Sequence, residues 1–309
     1  MPPVFPTPTT PPTLPNDRKL SADSPDWKPV SKDERQAYLE GLQDGGPPNP
    51  TGEKGIAYAA REAYRVLDEH AAYIPAKLAA QVGTFREVVR GIEAAGAGSS
   101  EGGKGAVSPV VAWAEKEGRL IPSDEFDSLE DPVSGDTSEH EVWHYDAAGR
   151  VVKRTWAGVC GQVPVYWQGR ILMKNASLPE YLRRMSLQVA VFKSDIRFEG
   201  ITTSDKPSML SGHQPGEPSA VISQEWIQAA RLSKPSPDDG EIAKFMADHG
   251  FRRIKDSSTG WARKDGVIVM DAKTDNFIMS KDGVVPIDLQ MGAIGTDVVK
   301  GLEYGEGLR

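Results

Sequence analysis

Cysteine is almost missing from this sequence: Cys160 is the one thiol in 309 residues. That excludes a disulfide within the chain and a zinc site built on several thiolates. No stretch approaches about 18 consecutive apolar residues, so no membrane-spanning helix is expected. The N-terminus has neither a cationic head nor an apolar run, which argues against a secretory signal. No basic run occurs, and the charge balance is acidic: 36 Lys plus Arg against 44 Asp plus Glu, a net charge of -8. Binding a phosphate backbone relies on clustered cations, so nucleic acid is not an expected partner. The five histidines, His70, His140, His144, His213 and His249, show no His-x-x-x-His spacing. His140 and His144 lie four apart on or beside a strand, roughly 13 Å by strand rise, which is too far for one metal. They read as satisfied or exposed side chains. The expectation is a soluble, cytoplasmic protein.

Glycine and proline are plentiful, at 31 and 24 residues, so part of the chain should be loop or tail. Residues 1–16 hold seven prolines and no charge. Proline removes amide donors and favours extended backbone, so residues 1–55 read as a Pro/Gly-rich disordered tether. Apolar residues then recur at helical spacing. Ile56, Ala60, Tyr64 and Leu67 form one stripe, and Leu78, Val82, Phe85, Val89 and Ile92 a second after Pro75. A Gly/Ser-rich linker spans 96–105. Ser108 and Pro109 read as a helix start and Gly118 as its stop. Residues 56–122 are expected to be a small helical segment.

The texture changes near Gly135. Residues 141–145 and 150–156 alternate around a turn at 146–149, the pattern of a hairpin. Ser177 can cap a helix whose buried stripe is Leu182, Met185, Val189 and Phe192. Residues 202–218 read as a polar loop, 220–224 as a buried strand, and 239–250 as a helix with Ile242, Phe245 and Met246 inward. Short apolar strands follow at 266–270, 277–279 and 284–287.

The segment from Asp271 to Asp288 carries the chemistry. One apolar strand ends at Asp271, Asn276 lies five residues on, and a returning apolar strand ends at Asp288. Strand ends place side chains at the mouth of a sheet. Two carboxylates and an amide converging there suit Mg²⁺, which takes oxygen ligands and keeps several waters. Lys273 can reach the same rim and neutralise a transferring phosphate.

Asp271, Lys273, Asn276 and Asp288, with their two apolar strands, resemble the catalytic hairpin of the protein-kinase superfamily. The resemblance implies that Asp271 orients or deprotonates an acceptor hydroxyl, Lys273 steadies the γ-phosphate, and Asn276 and Asp288 hold metal. It makes Lys153, on the second strand of the 141–156 hairpin, the lysine that pairs the α- and β-phosphates. Glu180 is then the helix carboxylate paired with Lys153, and Gln224 and Glu225, after the 220–224 strand, the hinge touching adenine. More narrowly, the chain looks like the kinase domain of polyvalent proteins of phages and mobile elements. The stretch from Gly135 to Val142, the run from Pro179 to Arg183, Ser223 with Gln224, Gly250 with Phe251, and the late hairpin carry that likeness over about 113–291. The implied architecture is α+β: a compact, two-lobed kinase-like domain over 130–295 with a truncated C-terminal lobe and a 296–309 tail.

The departures are specific. No glycine triplet covers the phosphates, and 135–140 is at best a substitute. Val269 and Met270 precede Asp271 where kinases carry His-Arg. Leu289 and Gln290 follow Asp288, so the metal motif lacks its glycine. Only 21 residues follow Asp288, which leaves no room for a peptide-docking platform. The expected activity is ATP- and Mg²⁺-dependent phosphotransfer to a protein or small-molecule hydroxyl. Two alternatives stay open: a silent nucleotide-binding module, and a restriction-type nuclease using Asp265, Asp271 and Lys273.

Overall fold

In the computed structural model, residues 53–96, 108–127, 139–145, 149–167, 170–203, 216–230 and 235–305 are described. The expected tether up to residue 52, most of the 96–105 linker, the 135–138 substitute loop, the 146–148 turn, most of the 202–218 loop and the last four residues lie outside them. Among the described residues the fold is α+β, with seven α-helices and several antiparallel sheets. None of these helices is long and apolar enough to cross a membrane.

Helix α1 (Glu53–Ala71) and α2 (Ala76–Ala94) flank a break at Pro75, whose ring cannot continue a helix. The α2 stripe is buried as its spacing demands: Leu78, Val82, Phe85, Val88, Val89 and Ile92 all face inward. Helix α3 (Pro109–Lys116) starts at its proline and ends before Gly118, which takes a left-handed φ of 64°. Helix α4 (Ser123–Asp127) buries Phe126 against Trp143, with the Arg154 guanidinium over both rings.

Strands β1 (His140–Tyr145), β2 (Arg150–Thr155), β5 (Ile196–Thr203) and β6 (Pro218–Glu225) build one antiparallel sheet in the order β1-β2-β6-β5. Every residue of β2 is buried, so its alternating sequence does not mark a wet face. Both faces are covered. Gly200 sits at the β5 bulge because a Cβ there would meet the Arg119 carbonyl at 2.7 Å. A separate hairpin, β3 (Gln162–Trp167) and β4 (Arg170–Asn175), precedes helix α5 (Leu178–Phe192). Only Glu180 of α5 escapes full burial, so α5 is a core helix rather than an amphipathic one.

The chain then adds α6 (Asp239–Asp248), β7 (Phe251–Arg253), β8 (Trp261–Arg263) and β9 (Val267–Met270). A 3₁₀ turn at Thr274–Asn276 leads into the ribbon of β10 (Phe277–Ser280) and β11 (Gly283–Pro286). Strand β12 (Gln290–Ala293) returns to β9, giving a second sheet ordered β12-β9-β8-β7, and α7 (Thr296–Gly301) follows.

Two boundaries read from the sequence are corrected. Residues 56–122 are not a separate helical segment: α1 and α2 pack on α5 and share one core with β9 and β12. The segment assigned as a tail after 295 is folded through residue 305. Val298 and Val299 are buried against Ala262 and Ile268, and Tyr304 bridges to Ile254. Strands β3, β4, β5, β7, β8 and β12 went unread, because three- to eight-residue runs with mixed burial carry little periodicity.

Candidate functional site

A cleft of about 480 Å³ opens between the first sheet and the β9–β12 region. Lys153, Gln224, Glu225, Asp271, Lys273, Asn276 and Asp288 all line it. The strand register explains the upper wall. Residues directly opposite in an antiparallel pair share a face. Val142 faces Lys153 across β1–β2, and Val151 faces Gln224 across β2–β6, so these four present one surface. Ile278 and Ile287 supply apolar surface from the β10–β11 side.

The lower wall is held by a local network. Met270 ends β9, and Asp271 then adopts φ 58°, uncommon for any residue but glycine and better tolerated by Asp than by most. Asn276 donates its amide to the Asp271 carbonyl at 2.6 Å and to Asp271 Oδ2 at 3.0 Å. Lys273 Nζ stands 3.2 Å from the same carboxylate oxygen. The Ile287 amide donates to the Asn276 carbonyl at 2.9 Å, which sets Asp288 beside the turn. With its amide nitrogen committed to Asp271, Asn276 keeps its side-chain oxygen as an available ligand. That oxygen and the Asp288 carboxylate both line the cleft and are hard donors of the kind Mg²⁺ takes.

Lys153 is buried, and its Nζ donates to the Ile287 carbonyl at 2.8 Å. Burial pushes its ammonium down from the ordinary lysine value, opposed by the Asp288 charge. The expected pairing of Lys153 with Glu180 is absent. Glu180 occupies the third position of α5, where Oε2 accepts from the Ser177 amide and hydroxyl at 2.9 Å, and Oε1 pairs with Lys174 at 2.6 Å. A capping carboxylate is tied to its own helix start, and the β4 lysine takes its other oxygen. Glu180 does not line the cleft.

The helix acts on the cleft with a cation that lies behind its wall. Arg184, fully buried one turn after Glu180, pairs with Glu139 and donates to the Gln162 carbonyl at 2.9 Å. Glu139 also lies 3.1 Å from His140 Nε2, which is 3.0 Å from the Tyr181 hydroxyl. Burial pushes the His140 imidazole down to about 4, with Lys153 adding to the effect against Asp288. Burial alone would raise the Asp288 carboxyl, but His140, Lys153, Arg184 and Lys273 outweigh it and hold the group below its ordinary range. Glu139, His140 and Asp288 bring one ligand atom each within 4.8 Å of one another, a spacing that can hold a metal. Arg184 pairs with Glu139, and the charges of Lys153 and Arg184 act on Asp288, so this group stands as a charge-balanced polar floor.

His140, set aside in the sequence as a satisfied or exposed side chain, is thus part of the cleft. Glu139 and Arg184 were not foreseen either. The available signal was parity: once β1 and β2 pair, His140 and Val142 fall on the Lys153 face. The nuclease set is not assembled. Asp265 precedes β9 and Asp271 follows it, and Asp265 is bound by Arg263 at 2.6 Å and His70 at 3.1 Å, away from the cleft. A scan against protein-family models, a search of curated proteins and a search of solved structures each return no match to this chain.

Proposed function

We propose that this chain is an ATP- and Mg²⁺-dependent phosphotransferase that moves the γ-phosphate to a hydroxyl of a protein or small molecule. The reading is supported above all by one observation. Seven of the eight side chains expected from the resemblance to the protein-kinase superfamily line one cleft. Its apolar upper slot and polar lower rim suit a nucleotide with its base inside and its phosphates toward the Asp271–Asp288 turn.

In this reading Asp271 accepts or orients the proton of the acceptor hydroxyl. The acceptor oxygen forms a bond to the γ-phosphorus as the bond to the β–γ bridging oxygen breaks, and ADP leaves. Lys273 and Lys153 offset the charge on the phosphates. Asn276 and Asp288 would hold the metal, which supplies further charge neutralisation when bound. Little covalent work falls to the protein in such chemistry; positioning and electrostatics dominate.

A nucleotide-binding module without turnover is the second reading, favoured by one feature: Lys153 lacks a helix carboxylate and Glu180 is committed elsewhere. The two separate in one experiment. Purified chain is incubated with γ-labelled ATP, Mg²⁺ and a cell lysate, alongside Asp271→Asn and Asp288→Asn variants, and thermal shift with Mg-ATP is recorded in parallel. The transferase reading expects label transfer by the wild type and none by either variant. Full activity in both variants refutes it. Thermal stabilisation without transfer selects the silent module.

A further inference from the structure

Gln224 is a buried polar side chain of the cleft wall for which the fold supplies no partner. It is 3% exposed and lines the cleft. Its backbone is paired on both sides, opposite Val151 on β2 and Ile196 on β5. Other buried polar groups nearby are engaged: Lys153 on the Ile287 carbonyl and Arg150 on the Ser223 hydroxyl. Among the described residues the Gln224 carboxamide makes no hydrogen bond. Its amide atoms are not sealed off but open onto the cleft, where a ligand that displaces water must complete their hydrogen bonds. Val142, Val151, Ile278 and Ile287 bound that slot, which suits a flat ring.

We infer that Gln224 reads the edge of a purine directly through its carboxamide, and that it accepts adenine and guanine alike. This deepens the nucleotide-binding reading of the same cleft and rests on it. A carboxamide offers a donor beside an acceptor. Adenine presents the amino N6–H beside the N1 acceptor, and guanine presents N1–H beside the O6 acceptor. Turning the carboxamide by half a rotation exchanges its donor and acceptor. No protein neighbour fixes which way it points, so either purine edge is met in full.

The test is equilibrium binding of Mg-ATP, Mg-GTP and Mg-tripolyphosphate to the full chain by calorimetry. For the wild type, ATP and GTP are expected within about threefold of each other, and both tighter than tripolyphosphate. Gln224→Leu should weaken both purines by about tenfold, within the range of a bidentate base contact, while tripolyphosphate binding stays unchanged and reports an intact fold. Gln224→Glu should favour GTP, because a carboxylate accepts from both N1–H and N2–H of guanine but finds one donor on adenine. Discrimination of more than about tenfold against GTP in the wild type overturns the inference, as does a Leu variant that binds both purines normally. Failure of the wild type to bind either ATP or tripolyphosphate instead removes the nucleotide reading itself, and the inference with it.

Discussion

Acidification should destabilise this protein through one imidazole at the cleft floor. His140 is 3% exposed and surrounded by Glu139, Tyr181, Lys153, Arg184 and Asp288. Burial holds its folded-state value at about 4. In the unfolded chain the imidazole returns to the ordinary histidine value, about 6.5. The unfolded state therefore binds a proton first as pH falls. Stability from the neutral buried ring is fully present above the unfolded value and is lost on descending toward the folded one. Between pH 7 and pH 5 the loss is about 2 kcal/mol, a large share of the stability of an ordinary domain. Urea unfolding at pH 7, 6 and 5 measures it, with His140→Gln as the reference, since glutamine can still reach the Tyr181 hydroxyl but does not titrate. The carboxylates and cations around it are common to both proteins and drop out of the difference. The wild type should lose about 2 kcal/mol relative to the variant over this window. Parallel pH dependence in the two proteins would show that His140 does not titrate as argued.

Three further outcomes follow from the same contacts. Glu139→Gln leaves the fully buried Arg184 without its counter-charge, and should cost about 3–5 kcal/mol in urea unfolding; an unchanged midpoint would remove that pair from the account. Phe85→Ala deletes a fully buried ring that packs edge-on to Phe198 at 6.3 Å, with an expected loss of about 3–5 kcal/mol. A small loss there would mean that α2 does not share the core with β5. ATP in EDTA should bind at least about tenfold more weakly than Mg-ATP, because two lining cations, Lys153 and Lys273, stand against five lining carboxylates, Glu139, Glu225, Asp271, Asp275 and Asp288, an excess of negative charge facing a triphosphate. Equal affinity with and without Mg²⁺ would contradict that balance.

What could be read from the sequence was what local chemistry decides. The α2 stripe, the Pro109 helix start and the Gly118 stop depend on spacing, proline geometry and glycine φ, and each appears where those rules put it. The β1–β2 hairpin and the Asp271–Asp288 segment are likewise local, so the residues on that segment could be grouped before the fold was known. The partner of Glu180 was not local. Its charge type and its place on a helix near Lys153 suited an ion pair, but sequence does not show that β4 delivers Lys174 to it or that Ser177 claims its other oxygen. The hairpin of β3 and β4 that supplies Lys174 was itself unread. The same holds for β12, which closes on β9 across a chain reversal and turns an apparent tail into part of the core.

The inverted charge on α5 follows from its burial. A helix surrounded by core on every side has few partners to offer its polar groups: Arg183, Arg184 and Gln188 each find one, while Arg183 Nε, Arg184 Nε, Ser186 Oγ and Gln188 Oε1 find none among the described residues. Arg183 finds Glu93 on α2, and Gln188 finds the Pro286 carbonyl. Arg184 has Glu139, at the residue just before β1, as its charge partner. That pairing ties the central helix to the start of β1, by a bond whose two ends are both almost wholly enclosed. A carboxylate from the helix would have left Lys153 neutralised and Asp288 the excess charge. With Arg184 paired to Glu139, Lys153 donates to the Ile287 carbonyl, and its charge acts on the neighbouring Asp288. Those two groups are the ones a metal-bound triphosphate would engage separately, phosphate oxygens on the lysine and the cation on the carboxylate. The helix thus serves the cleft by holding the start of β1, while the exchangeable charges stay on β2 and on the turn before β12.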